Sequence, residues 1–293
     1  MTENIIKSRS VKACVAEAYR YYADNVRRIF KHTWLPVVVY AVLAGVLSFF
    51  VADFSRSALT ETSSFSLSLV PACIGALAAL VVGVWVTSRV IHLLNGKSRR
   101  WNFIRCLRQT AYFLPICVFF AAIVVCAARL LTGSFVFHGL IRVLLLVIFI
   151  MLVMPFLYVN TRYVMDEKAR YWRDLFRAQR SAVRHGGIIF STSVVSLVIY
   201  LVVALLLMLP LFLLLMAQGA SHTGVVIGDP SGMPSTFPLL LSATTTVVTF
   251  MMTFFSFWFI FVCVFLYGSI VSDERERRER KQGVQPQNGG QNA

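Results

Sequence analysis

The chain has 293 residues, of which 58% are hydrophobic and only 14% charged, and its formal net charge is +15 at pH 7. Soluble domains carry about 25% charged residues, so this composition excludes a water-soluble globular fold and calls for lipid to cover part of the apolar surface. A basic balance suits either nucleic acid or a membrane surface, and the placement of the cations decides between them.

Residues 1–33 are polar and then amphipathic. Val15, Tyr19, Tyr22, Val26, Ile29 and Phe30 keep helical spacing, with Lys12, Arg20, Arg27, Arg28 and Lys31 on the other side. A first membrane span is expected at about 34–53, with Pro36 in its first turn, where a missing N–H costs least. Residues 54–68 read as a polar, Ser-rich loop. The second span is expected at about 69–91, where Gly75, Ala79 and Gly83 repeat every four residues and let another helix approach closely. A turn falls at Asn95-Gly96. A second amphipathic helix then begins, with Trp101, Ile104 and Leu107 on a face that Arg105 and Arg108 do not share.

The third span is expected at about 111–131, with Pro115 near its start, and the fourth at about 140–159. Between the fourth and fifth spans, Arg170, Arg173, Arg177, Arg180 and Arg184 recur three or four residues apart, interleaved with Tyr171, Trp172, Leu175, Phe176 and Val183. Wound as a helix, this segment carries a cationic stripe and an aromatic one, the pattern of a helix lying in a headgroup layer. The fifth span, about 188–217, would be roughly 45 Å long against a hydrocarbon core of roughly 30 Å, so Pro210 kinks it or the helix tilts. Residues 218–236 read as a Gly-, Pro- and Ser-rich loop. The sixth span, about 237–271, runs on as helix to residue 281, with Asp273–Arg277, Glu274–Arg278 and Glu276–Arg280 at pairing distance. Residues 282–293 have the composition of a disordered tail, which leaves 1–281 as a single integral-membrane domain.

Lysine and arginine number seven in 1–33, six in 89–110, seven in 160–187 and five in 272–293, which leaves only Arg56, Arg129 and Arg142 elsewhere. The positive-inside rule then places both termini and the two basic loops in the cytoplasm. It also accounts for the basic charge without nucleic acid. Three times an aromatic-and-arginine helix precedes a pair of spans. The first two junctions, Trp34-Leu35-Pro36 and Phe113-Leu114-Pro115, match, and Gly186-Gly187 stands at the third. The expected fold is therefore all-α: a polytopic transmembrane bundle of six spans with three interfacial amphipathic helices on the cytoplasmic side.

The segment from Met165 through Arg180-Ser181-Ala182-Val183-Arg184-His185-Gly186 resembles the cytoplasmic loop of a diffuse group of bacterial six-span inner-membrane proteins. The group includes the membrane domain attached to some glycerophosphodiester phosphodiesterases. In it an acidic residue, here Asp166 or Glu167, precedes a helix bearing Arg-Ser and then a basic-Gly pair before the fifth span. The resemblance implies a bacterial inner-membrane protein and no particular activity, since this chain carries no phosphodiesterase domain.

The stripe of Arg170, Arg173, Arg177, Arg180 and Arg184 could clamp anionic lipid headgroups, each cation contributing about 1 kcal/mol near such a surface. The plainer account is orientation of the loop alone. Thr245, Thr249, Thr253 and Ser256 form a hydroxyl stripe along the sixth span. They could line a polar path, or bond to a neighbouring helix or to their own carbonyls. No Asp or Glu lies well inside any expected span, which argues against a proton- or sodium-driven transporter. Arg129, Arg142 and His138 bracket the short outer loop, where snorkelling accounts for them. The six cysteines lack a C-x-x-C pair and read as reduced packing residues. Catalytic, metal-binding and cofactor-binding motifs are missing. The chain begins without the pattern of a cleavable signal peptide. The expected function is a non-enzymatic assembly, regulatory or envelope-maintenance factor that engages anionic lipid or a protein partner. The alternative is a carrier with a cavity between helical hairpins.

Overall fold

The computed structural model describes residues 6–60, 65–130, 156–173, 183–227, 234 and 236–281. All regular structure among them is helical: α1 (Val11–Thr60), α2 (Phe65–Asn95), α3 (Arg99–Leu130), α4 (residues 156–165), α5 (Gly186–Ile227) and α6 (Phe237–Lys281). Four stretches are long and apolar enough to cross a membrane: Val11–Phe50, Cys73–Asn95, Gly186–Ser221 and Phe237–Arg280. The fold of the described residues is thus all-helical and that of a membrane protein. Residues 140–155 of the expected fourth span, the outer loop with His138, and the tail 282–293 lie outside the described residues.

Three expectations need correction. The amphipathic segment and the first span are one unbroken helix of 50 residues, with Pro36 inside it. Pro36 forfeits one intrahelical bond, but it is fully buried, and the packing around it holds the helix through that point. The Ser-rich loop placed at 54–68 is largely helix, since α1 continues to Thr60 and α2 starts at Phe65. The loop placed at 218–236 likewise gives way to α5, which runs to Ile227. In both places the helix is already nucleated, and each further residue adds a backbone bond that outweighs a weak local preference for turn. The turn at Asn95-Gly96 is where the sequence puts it. Gly96 has φ of 66° and its N–H reaches His92 O at 3.1 Å, the left-handed stop that glycine supplies.

The chain divides into two compact units. Unit 1 comprises residues 1–23, 108–196 and 259–293, and unit 2 comprises 24–107 and 197–258. In unit 1 the segment before α1 is tied to α6: Arg9 N–H donates to Ser269 Oγ at 3.0 Å, and the same hydroxyl donates back to Arg9 O at 3.1 Å. The Arg9 guanidinium lies over Phe265 at 5.0 Å and pairs with Glu17, while Ser8 donates to Asp273 at 2.7 Å. Tyr21 meets Phe261 and Phe265 edge-on, and Tyr158, Val159, Ile189, Leu266 and Ile270 form a buried cluster.

Unit 2 packs by close approach of backbones. A methyl group on Gly45 of α1 would strike Thr246 Oγ1 and lie 2.8 Å from Ser242 O of α6. The Ser242 hydroxyl donates to Gly45 O at 2.9 Å. On the α2 side, a Cβ on Gly75 would run into the Leu47 side chain, and one on Gly83 would meet Tyr40 at 3.5 Å. The small-residue stripe of α2 therefore seats α1, and α1 seats α6 at Gly45, a small residue outside that stripe. By contrast, none of the apolar window of α5 is buried: Leu201, Leu205, Leu206, Phe212 and Met216 are all exposed, as expected for side chains facing lipid.

Candidate functional site

Seven of the arginines line two clefts, one in each unit. In unit 1, Tyr171 anchors the basic segment that follows α4. It is buried, its hydroxyl donates to Asn160 Oδ1 at 3.1 Å, and its ring meets Tyr112 and Tyr163 at 5.1 and 5.3 Å. Burial pushes its phenol up to about 12, so it remains a proton donor. Arg170, Trp172 and Arg173 are turned outward around this anchor. The cationic and aromatic stripes are therefore not fully separated, because Trp172 shares the outer side with the arginines. Arg177 and Arg180 lie outside the described residues.

Arg184 reaches a different neighbourhood. With His185, Glu274, Arg277, Arg278 and Arg280 it lines a cleft of about 480 Å³. Four arginines and one glutamate share its lining. The residues of α6 in this cleft come from its charged last turns, whose alternating Glu and Arg are good helix formers and carry the helix past its apolar part. His185 is buried at the start of α5, and its carbonyl accepts the N–H groups of Ile188 and Ile189, each at 3.1 Å. Burial, and then the positive charge of Arg277, pull its pKa below the usual histidine value; Arg184 acts in the same sense, against Glu274 and Asp273.

The second cleft, in unit 2, has about 430 Å³ and is lined by Val81, Val82, Trp85, Ser88, Arg89, Arg99, Arg100 and Phe103. Its two walls are the end of α2 and the first turn of α3. They are held by a compact polar knot. Asn102 is fully buried and exchanges hydrogen bonds with Asn95, at 2.7 Å from Asn95 Nδ2 and 3.2 Å to Asn95 Oδ1. Asn102 Nδ2 also reaches Lys97 O at 3.2 Å, where His92 Nδ1 converges at 2.5 Å, and Asn95 Oδ1 accepts the Lys97 N–H at 3.0 Å. Ser98 caps α3, accepting the Trp101 N–H at 3.3 Å. Cations stack on both tryptophans here: Arg89 on Trp85 at 5.8 Å, and Lys97 and Arg105 on Trp101 at 4.2 and 5.3 Å. The sequence signal for this cleft was Trp85 one helical turn before Arg89, with Arg99-Arg100 just beyond a glycine turn.

The hydroxyl stripe of α6 is largely engaged with its own helix. Thr245 donates to Leu241 O at 2.8 Å, Thr253 to Thr249 O at 2.7 Å and Ser256 to Met252 O at 2.7 Å. Ser256 also meets the Tyr200 hydroxyl at 3.1 Å. All four stripe residues, Thr249 included, are half-buried. Among the described residues, no group of three or more His, Cys, Asp or Glu side chains could hold a metal ion. No protein-family model, curated protein or solved structure matches the chain.

Proposed function

We propose that this is a six-span protein of the bacterial cytoplasmic membrane, with both termini inside, that holds anionic lipid headgroups along its basic side. It acts there as a non-enzymatic assembly, regulatory or envelope-maintenance factor. The observation that carries this reading is the cleft lined by Arg184, Arg277, Arg278 and Arg280, where four arginines stand with one carboxylate residue, Glu274. A guanidinium grips phosphate with two parallel N–H donors, so such a cleft favours a phosphate-bearing surface over a simple point charge. Support comes from the segregation of 25 of the 28 Lys and Arg residues into four segments, and from the resemblance of the 165–186 loop to bacterial inner-membrane proteins.

The test is thermal unfolding of the full chain in detergent with added phosphatidylglycerol or phosphatidylcholine. Phosphatidylglycerol is expected to raise the unfolding temperature, because a ligand that binds only the folded state stabilises it. Joint Arg277→Glu and Arg278→Glu substitution is expected to remove most of that rise. Equal stabilisation by the two lipids would defeat the reading.

A further inference from the structure

We infer that the unit 2 cleft is a seat for one anionic phospholipid, its phosphate held by Arg89, Arg99 and Arg100 and one acyl chain laid along α2. This deepens, and rests on, the proposal that the protein holds anionic lipid on its basic side. Four observations converge on it.

The first is charge. Arg89, Arg99 and Arg100 line one cleft, and none has an ion-pair partner among the described residues. Three guanidinium groups with no carboxylate between them repel one another and call for an anion. The second is the shape of the wall. Away from the arginines the cleft is apolar and aromatic, with Val81, Val82, Trp85 and Phe103. A free phosphate has no use for that wall, whereas the glycerol and the first methylenes of a lipid do.

The third is continuity. Ile74, Leu77 and Val81 are exposed by 62, 64 and 46%, and with Trp85 they follow one face of α2 at spacings of three and four. Ile74 to Trp85 spans roughly 16 Å of helix, about half of a 30 Å hydrocarbon core and so about one leaflet. The stripe therefore runs from leaflet depth through an interfacial tryptophan to the arginines, the order in which a phospholipid presents chain, backbone and phosphate. The fourth is rigidity. The Asn95–Asn102 knot and the left-handed Gly96 fix the first turn of α3 against the end of α2. The backbone that carries the three arginines is thus set before binding, and only their side chains remain to be ordered when the ligand arrives.

The experiment is native mass spectrometry of the full chain in detergent, titrated with dioleoyl phosphatidylglycerol or dioleoyl phosphatidylcholine, with inorganic phosphate as competitor. Arg99 and Arg100 are exposed, so joint R99A and R100A substitution leaves the packing intact. Arg27 and Arg28, equally exposed on α1, give a charge-matched control as R27A with R28A. The wild type is expected to retain one phosphatidylglycerol in preference to phosphatidylcholine. R99A with R100A is expected to weaken that lipid roughly thirtyfold, the control less than about threefold, and millimolar phosphate is expected not to displace it. Equal losses in the two double variants would reduce the effect to bulk charge and overturn the site. Displacement by phosphate would overturn the lipid assignment in favour of a soluble anion. A preference for phosphatidylglycerol that survives in R99A with R100A would remove this site and leave the broader lipid reading standing. No preference in the wild type would remove both.

Discussion

The two units solve the same problem by different means. Unit 1 is joined by aromatic rings and side-chain hydrogen bonds: Tyr21 on Phe261 and Phe265, Tyr171 on Asn160, Ser269 on Arg9. Unit 2 adds to such contacts a close approach of backbones at Gly45 and Gly75, with Ser242 bridging α1 and α6 and Ser256 meeting Tyr200 of α5. Their arginine clefts differ in the same way. The unit 1 cleft is lined by His185, Glu274 and four arginines, all polar. The unit 2 cleft sets three arginines against tryptophan, valine and phenylalanine. Charge alone does not distinguish them; the wall does. A polar wall suits a headgroup at the water surface, and an apolar wall suits a lipid with its chain.

The sharpest way to break this contrast is at Gly45. Its Cβ has no room, because the obstacle at 2.8 Å is the Ser242 carbonyl, which is backbone and cannot rotate aside. Gly45→Val should cost at least about 1–3 kcal/mol, the usual range for overpacking, read as a fall in unfolding temperature in detergent. Gly187, with open space around it, is the control: Gly187→Ala should be close to neutral. If Gly45→Val unfolds like the wild type, close approach is not what holds unit 2. A smaller effect probes unit 1. Tyr171→Phe removes the hydroxyl and leaves the buried Asn160 oxygen without its donor, at a cost of about 1 kcal/mol. Its ring contacts persist, so Tyr171→Ala should cost clearly more. Equal losses in the two variants would mean that the hydrogen bond, and not the ring contacts, anchors this segment.

What was legible in the sequence follows from range. Helices written in long apolar runs were plain, as was the stop at Asn95-Gly96, because hydropathy and a left-handed glycine act locally. The small-residue stripe Gly75–Ala79–Gly83 also announced a close neighbour, since only a facing helix gives small residues at that spacing a use. Helix ends were misjudged at 54–68 and 218–236, where Ser and Gly suggested turns but a helix already under way continued. The clefts were hardest. Arg184 stood out within its own stripe, but its partners Arg277, Arg278 and Arg280 come from a helix nearly a hundred residues away. In the sequence those residues looked like a self-paired, solvated end. Arg89, Arg99 and Arg100 flank a turn, and although Trp85 and the glycine turn hint at a site, only the folded Asn95–Asn102 knot brings them to one cleft.

His185 offers the finest discrimination between the two clefts. Burial and then the charge of Arg277 disfavour its protonated form in the folded protein, against lesser opposing effects of Glu274 and Asp273 and with a still lesser one of Arg184 in the same sense as Arg277. Its folded pKa therefore lies below that of the unfolded chain, about 6.5. The stability this contributes is present above pH 6.5 and is lost as pH falls below it toward the folded pKa, because the unfolded state then binds the proton more readily. His185→Asn should flatten the fall in unfolding temperature between pH 7.5 and 5.5. An anionic headgroup seated among Arg184, Arg277, Arg278 and Arg280 would offset the repulsion on the imidazolium and raise the folded pKa toward the usual value. Added phosphatidylglycerol should therefore flatten the same slope in the wild type, and should do so unchanged in R99A with R100A, whose arginines line the other cleft. A slope that lipid leaves untouched would mean that no headgroup sits beside His185.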